Sequence, residues 1–329
     1  MNLRASVRLF THIQLLPVLE NGEETTLIGG QAVMDGVMMR SPHSFCVAVR
    51  KPDGEIVTEE SPLPRLSDQY PVFKLPVLRG LGTLGHAMWL GMRALKFSAE
   101  CALTGESGSK PAAQTKELGS GAMALQILFS LVFMIALYKF VPLYLATTIG
   151  KHYHSLGSRF AINVVDGTLR IAIFLGFMFL LSRMKEMRKV FEYHGAEHRV
   201  VFNFESGQPV TVTNAQRFVT WHPRCGTSFL VVVLILAMIS YAFLPIDNFW
   251  AKFAARVALL PLVVGLSYEI IRYAAKRQGS VLALITRPGL WLQRVTTQPP
   301  SNSQTEVAIC ALERAMALEK AQGGVLVIA

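Results

Sequence analysis

The residues of this chain that could do chemistry are concentrated in two short motifs. The first is YHGAEH (193–198), in which His194 and His198 are four positions apart. On a helix, two side chains at this spacing lie on one face, about 6 Å apart at Cβ, and can bind a single metal ion. With Glu197 they form the pattern H-x-x-E-H, in which the histidines bind zinc and the glutamate takes a proton from water. The motif therefore predicts a metal site with Glu197 as general base.

The second motif, HPRC (222–225), adds His222 and Cys225. Together the two motifs offer four ligands of the types that bind zinc. Three ligands and an open position would make a hydrolytic centre, whereas four would make a closed structural site. Cys225 as a ligand favours the closed form; left free, it would be a low-pKa nucleophile. The alternative without metal is that the histidines decorate a helix next to the membrane, with HPRC forming a turn.

Three further residues are weaker candidates for this site. Glu205 could supply a carboxylate ligand, although a surface role is the simpler interpretation. Asp35 within the glycine-rich apolar segment LIGGQAVMDGVMMR (27–40) and His43 just after it could reach the same site. Glycines inside such a run indicate a bulge or a close approach by a ligand or another backbone. The simpler interpretation of the segment is an unusual strand of a small sheet.

The composition indicates the class of protein that positions these residues. Of 329 residues, 51% are hydrophobic and only 16% are charged, against about 25% charged in a soluble domain. This excludes intrinsic disorder, and four cysteines are too few for a disulfide scaffold. Asp166 and Arg170 are spaced to pair on one helix face. The apolar segments predicted to cross a membrane are 122–138, 168–182, 227–244 and 253–273.

The distribution of Lys and Arg predicts the orientation of these segments. The stretches 1–120, 143–167, 183–224, 246–252 and 272–329 hold 12, 2, 7, 1 and 7 basic residues. This alternation follows the positive-inside rule, so both termini and residues 183–224 are predicted to be cytoplasmic. The net charge of +10 is then explained by topology, and nucleic-acid binding is not expected. Cysteines on the cytoplasmic side are expected to stay reduced.

The sequence thus predicts an α-helical integral membrane protein of about four transmembrane helices with a small cytoplasmic N-terminal β unit. Within the β unit, residues 45–50 and 55–58 are expected to pair across the turn Pro52-Asp53-Gly54. Segment 67–103 is predicted to form one or two interfacial helices; a soluble hairpin packed on the β unit is the alternative. The predicted organisation begins with an extension at 1–26, which has no cleavable signal peptide, and the β unit at 27–66. The interfacial helices at 67–103 and a linker at 104–120 follow. The membrane domain at 121–295 contains the motif loop at 183–226, and the tail at 296–329 contains an amphipathic helix at about 305–320.

With these motifs collected, the chain resembles the YqhQ-like family of bacterial membrane proteins, which are described as predicted metal-dependent enzymes. The resemblance covers most of residues 27–295. It implies a site made of His194, Glu197, His198, His222 and Cys225. It also implies that Asp35 and Arg40 contribute as the polar members of the glycine-rich segment. The segments that carry the resemblance are GGQAVMDGVMMR (29–40), FKLPVLRGLG (73–82), YHGAEH (193–198) and HPRCGTSF (222–229).

Two functions from different classes are consistent with these features. The first is a metal-dependent hydrolase, with zinc expected from His and Cys ligation, facing the cytoplasmic surface of the bacterial inner membrane. Its substrate would be a membrane protein or a lipid headgroup. The second is a membrane scaffold or regulator with a structural metal or none. A transporter is a third, weaker option, because intramembrane ionisable groups are few and no repeat is detectable. The helices could also assemble as a homo-oligomer in the lipid bilayer.

Overall fold

A four-stranded antiparallel sheet begins the part of the chain that the computed structural model describes, which is residues 28–64, 69–104, 120–223, 225–276 and 281–322. The strands follow one another in the order of the chain. The predicted pairing of residues 45–50 with 55–58 is confirmed, in a register that runs from Ser44↔Pro62 to Arg50↔Ile56. The predicted extension 1–26 lies outside the described residues. The strands are β1 (Gly29–Val33), β2 (Gly36–Arg40), β3 (Ser44–Arg50) and β4 (Ile56–Pro62).

The remainder of the described chain is mostly helical. A π-helical segment, Ala136–Phe140, joins α2 to α3 without interrupting the helix. Short 3-10 turns lie at Pro71–Lys74 and His154–Leu156. The α-helices are α1 (Leu78–Thr104), α2 (Ser120–Ile135), α3 (Val141–His152), α4 (Arg159–Ser182), α5 (Lys185–Glu205), α6 (Val212–Ala215), α7 (Gly226–Ala242), α8 (Phe249–Ala258), α9 (Leu260–Lys276), α10 (Val281–Thr296) and α11 (Asn302–Ala321).

The sheet is covered by helices on both faces, because successive residues of a strand point to opposite sides. One face, which includes Met39 and Ala48, packs against α5 and α11. The other face, which includes Phe45 and Val47, packs against Leu90 of α1 and its neighbours. Within the predicted segment 67–103, the described residues therefore form a 3-10 turn at Pro71–Lys74 followed by one long helix, α1, packed on the sheet. This arrangement brings α5, which carries the first motif, directly onto the sheet.

The helices suited to crossing a membrane number two, or three if a bent pair counts as one span, among the described residues. Two are long and apolar enough, Leu128–His152 and Arg159–Ser182. The bent pair is Phe249–Ala258 and Leu260–Ala274, which meet at 44°. Helix α7, Gly226–Ala242, is apolar but shorter. Length and composition thus support two to three of the four expected crossings, and they indicate membrane association.

The sequence predicted the helix of the tail, residues 296–329, better than the structure of residues 183–226. About half of the predicted loop 183–226 is helix α5, so both histidines of the first motif lie on a regular helix. The predicted tail helix is confirmed as α11, where Ser301 and Gln304 form a capping box. Its predicted apolar residues Val307 and Leu312 are buried against the sheet and α5. The tail helix therefore packs on the body of the protein.

Candidate metal centre

Three side chains from the two motifs converge at the junction of α5 and α7. The ligand atoms of His194, His198 and Cys225 all lie within 4.8 Å of one another. The histidines share one face of α5 because they are one helical turn apart. Cys225 is the N-cap residue of α7, and its Sγ lies 3.2 Å from Nε2 of His194. Two imidazole nitrogens and one sulfur form a donor set that could hold a metal ion.

Backbone carbonyl groups fix the orientation of both histidine rings. Nδ1 of His194 donates to the carbonyl oxygen of Thr296 at 2.9 Å, and Nδ1 of His198 donates to the carbonyl oxygen of Thr220. Because a carbonyl oxygen can only accept a hydrogen bond, each Nδ1 must carry the proton. The lone pair then lies on Nε2 of each ring, as in a metal-binding histidine held by a carbonyl group.

Burial and mutual contact favour the protonation states that a metal requires. Burial is the main cause that lowers the pKa of His198 to about 4, with a smaller contribution from the neighbouring His194, so this ring is neutral near pH 7. Burial raises the pKa of the Cys225 thiol, but its contacts with His198 and Thr227 outweigh burial and lower its pKa overall. A neutral imidazole and a thiol that gives up its proton readily are the forms that bind zinc.

Glu197 is buried beside this cluster and is held by the sheet. Only 6% of the residue is exposed, and the backbone N–H of Gly30 in β1 donates to its carboxyl group. Burial is the largest effect and raises its pKa to about 8. The nearby Cys225 acts in the same direction, whereas His194 and the Gly30 N–H lower the pKa. Its Oε2 atom is buried without a hydrogen-bond partner among the described residues. A buried carboxyl oxygen without a partner next to metal ligands is suited to contact a bound ion or water.

His222 and Glu205, the remaining ligand candidates, lie next to the cluster and contact each other. Nε2 of His222 is 3.3 Å from Oε2 of Glu205, and the ring packs on Phe202 with centroids 4.4 Å apart. Its backbone is fixed by Gln293, which accepts from His222 N at 2.6 Å and donates to His222 O at 2.8 Å. The ring of His222 is 5.7 Å from that of His198. The structure thus brings together three of the four predicted ligands.

The N-terminal candidates take other positions. Asp35 lies in the turn between β1 and β2 with a positive φ of 52°, and its carboxylate is 4.0 Å from Nζ of Lys189. His43 contacts Glu319 of α11 at 2.7 Å. Arg40 ends β2 on the strand position opposite Gly29, where its side chain is close to Tyr268 and His86. The contribution of the glycine-rich segment to the cluster is the backbone of Gly30.

Several groups that build the site carry no signal in the sequence. The carbonyl groups of Thr220 and Thr296 act through the backbone, and any residue type could supply them. Gly195 lies so close to the chain after α10 that a Cβ there would collide with the carbonyl oxygen of Gln298. In the sequence, this close approach is indicated by the glycine within the H-x-x-E-H motif.

Comparison with known proteins places the chain in a family. The sequence profile described as "protein of unknown function (DUF1385)" matches residues 75–318. The chain belongs to this family. The "Uncharacterized protein YqhQ" of Bacillus subtilis (strain 168) is 34% identical over 297 residues, which are 88% of this chain and 92% of that protein. No solved structure matches the chain. The resemblance predicted from the motifs is therefore confirmed, and neither description names a reaction.

Proposed function

We propose that this protein is a zinc-dependent hydrolase of the bacterial cytoplasmic membrane, with its metal centre facing the cytoplasm. The observation that carries the proposal is the convergence of His194, His198 and Cys225 on one point. The donor set has the count typical of catalytic zinc sites, in which three protein ligands leave a position open. The engagement of His222 with Glu205 supports this count over a closed four-ligand site.

The roles of the side chains follow from their positions. Zinc in such a site acts as a Lewis acid and makes water a better nucleophile at neutral pH. Nε2 of His194 and of His198 would bind the metal, because both Nδ1 atoms are engaged by carbonyl groups. The positive charge of a bound metal would favour the carboxylate form of Glu197, whose pKa burial raises to about 8. In that form its free Oε2 would be available to take a proton from water and later to return it to the leaving group. The Gly30 N–H contact would hold this carboxyl group in place during the transfer.

The arrangement of the helices supports a membrane-facing substrate. We propose four crossings, made by the Leu128–His152 helix, α4, α7 and the α8–α9 pair, with both termini in the cytoplasm. The exposed ion pair between Arg159 and Asp247, 2.6 Å apart, joins the α3–α4 and α7–α8 connections at one end of the bundle. Cys225 begins α7 at the other end. A site there would meet peptide bonds of membrane proteins or lipid headgroups at the cytoplasmic surface.

A scaffold with a structural metal is the second candidate function. The observation that favours it is the depth of the sheet–helix packing around the cluster, where Glu197 and His198 are at most 6% exposed. A closed clamp would tie α5 to α7 and require no access for a substrate. The two functions differ in what they require of Glu197, because a structural site does not use a general base.

The first experiment measures the zinc content of the detergent-purified protein by elemental mass spectrometry. We expect about one zinc per chain, lost in His194→Ala, His198→Ala and Cys225→Ala. His222→Ala is the matched control, since it removes a nearby buried histidine outside the cluster, and it should retain the metal. Loss of zinc from His222→Ala would favour the closed four-ligand site. A parent protein that holds no stoichiometric metal after reconstitution would overturn the proposal.

The second experiment separates catalysis from structure with Glu197→Gln. In proteoliposomes of phosphatidylethanolamine and phosphatidylglycerol, lipid mass spectrometry would follow headgroup cleavage, and fluorogenic casein would report peptide-bond cleavage. If the parent turns over either probe, Glu197→Gln should lower the rate by about 100-fold or more while zinc content is unchanged. Turnover that survives the substitution would rule out Glu197 as the base.

A further inference from the structure

A second cluster of buried charged side chains lies at the other end of the helix bundle, between α4, α7, α8 and the π-helical segment. Its centre is Asp166, which is 0% exposed and accepts from Nη2 of Arg170 at 3.0 and 2.9 Å. Nη1 of Arg256 lies 3.0 Å from the same carboxylate. Arg170 and Arg256 are themselves 2% and 0% exposed. One carboxylate therefore faces two guanidinium groups in an apolar interior.

Lys139 adds a third cation to this cluster. Its Nζ donates to the hydroxyl of Tyr241 at 3.0 Å, and that hydroxyl donates to the carbonyl oxygen of Arg256. The ring of Tyr241 lies 4.9 to 5.4 Å from the three cationic groups. An aromatic face attracts cations but carries no net charge. Among the described residues, Asp166 is the one carboxylate in contact with the cluster, so positive charge is in excess.

The two guanidinium groups also retain unused donors. Nη1 of Arg170 and Nε of Arg256 are buried and have no hydrogen-bond partner in the described part of the chain. The other donors of Arg170 are engaged by Asp166 and by the carbonyl oxygen of Tyr138. Buried donors without acceptors are costly, and intramembrane ionisable groups mark functional sites by default. A bound anion would neutralise the excess positive charge and accept hydrogen bonds from the free donors.

The helices around the cluster depart from regular α-helical geometry in two places. Lys139 lies in the π-helical segment Ala136–Phe140, and Arg256 lies near the end of α8, just before the 44° bend into α9. π-helical turns and broken helices recur where helices bind ligands. Lys139 is only partly buried, so one edge of the cluster reaches the surface of the bundle. Aromatic rings of Phe140 and Trp250, 6.0 Å apart, border this edge.

We infer that this cluster binds an oxyanion of the phosphate class, either as a free ion or as the headgroup phosphate of an anionic lipid. The free Nη1 of Arg170 and the free Nε of Arg256 would each donate to one oxygen of such a group. Lys139 would bind it as a point charge from the surface side. The cluster is separate from the metal centre, since Cys225 and Tyr241 are at opposite ends of α7, about 24 Å apart at 1.5 Å per residue.

Thermal unfolding of the purified protein in a neutral detergent tests this inference. Phosphate should raise the unfolding temperature of the parent by about 2–4 °C above chloride at equal ionic strength. Lys139→Met should remove most of this rise, and it should fold because the described partner of Lys139 is a neutral hydroxyl. Lys151→Met, which removes an exposed lysine from the same helical stretch, should behave as the parent. Equilibrium dialysis with radiolabelled phosphate would measure binding directly.

Mixed micelles distinguish the two sources of the anion. Stabilisation by inorganic phosphate without lipid supports a free ion. Stabilisation by phosphatidylglycerol but by neither phosphate nor phosphatidylcholine supports an anionic headgroup. An equal response of the parent and Lys139→Met, or no response to any of these probes, would overturn the inference. Zinc content should be the same in Lys139→Met and the parent, so the outcome does not depend on the metal centre.

Discussion

The contact between Gly30 and Glu197 shows how a residue without a side chain can determine a site. A Cβ on Gly30 would lie 2.8 Å from Cδ and Cγ of Glu197 and equally close to the carbonyl oxygen of Met38. Real Cβ atoms do not approach other atoms this closely, so the carboxyl group or the strand would have to move. The glycine therefore allows β1 to press its backbone N–H against the carboxyl group.

Gly30→Ala should displace Glu197 without removing a metal ligand. We expect a loss of about 1–3 kcal/mol in the free energy of unfolding, because the methyl group overpacks a closed space. Zinc content should stay near that of the parent, and any hydrolytic turnover should fall. Gly85→Ala is the control, since a Cβ there meets nothing within 4 Å, and it should be neutral or stabilise α1 by up to about 1 kcal/mol. Equal unfolding temperatures for the two variants would contradict the close approach.

The sequence predicted the relative position of His194 and His198 better than the position of His222. The spacing of His194 and His198 fixes their relative position once the segment is helical, so the prediction needed only local structure. The position of His222 depends on Gln293, 71 residues later, and on Glu205. Such contacts are set by tertiary packing, which spacing alone does not reveal.

Helix α11 is attached to the sheet by its apolar face and also by one buried carboxylate. Glu319 is 2% exposed and accepts from the hydroxyl of Ser41 at 2.6 Å and the backbone N–H of His43 at 2.9 Å. Burial raises the pKa of Glu319, but these hydrogen bonds outweigh it, so the pKa is lowered overall. Because α11 also packs on α5, this contact supports the helix that carries His194 and His198.

The docking of α11 should therefore depend on pH. A carboxyl group whose pKa is lowered on folding stabilises the folded state above its ordinary pKa of about 4.3, and this contribution is lost as the pH falls through the lowered value. The accessibility of Cys310 on α11 to dithiodipyridine, which reacts in acid, would report the release. We expect the parent to be protected at neutral pH and exposed in strong acid.

Glu319→Ala should expose Cys310 across the whole pH range. Removing the carboxylate leaves Ser41 and His43 without their acceptor, at a cost of about 1–3 kcal/mol. Glu313→Gln removes an exposed acid from the same helix and should follow the parent. If Glu313→Gln and Glu319→Ala gave the same curves, the contact would not hold the helix.

Element boundaries were predicted where turn or cap residues mark them. Pro52-Asp53-Gly54 located the β3–β4 hairpin, and the polar tail preceded α11 as expected. The first predicted membrane helix, 122–138, was placed too early: the apolar stretch suited to crossing is Leu128–His152. The apolar run stops at Lys139, but the helix continues through it, because the π-helical segment lets that side chain reach Tyr241. Hydropathy cannot show that a cation inside a helix has a partner.

The proposed topology places the α3–α4 connection on the outer side of the membrane and α5 in the cytoplasm. In spheroplasts, a membrane-impermeant maleimide should label Ser155→Cys, which is exposed in that connection. Lys189→Cys, exposed at the start of α5, should react only after permeabilisation. The reverse pattern would invert the orientation, and labelling of both positions would argue against membrane insertion.

The dependence of His194 on the carbonyl group of Thr296 also has a consequence for biosynthesis. The two residues are 102 positions apart, and a ribosome adds about 5–20 residues per second. Both histidines and Cys225 therefore leave the ribosome roughly 5–20 s or less before the group that orients His194 has been made. During that interval the thiol and imidazoles are present, but one ring can still rotate. Metal loading should accordingly follow synthesis of α10, and a nascent chain arrested before Thr296 should exchange zinc faster than the finished protein.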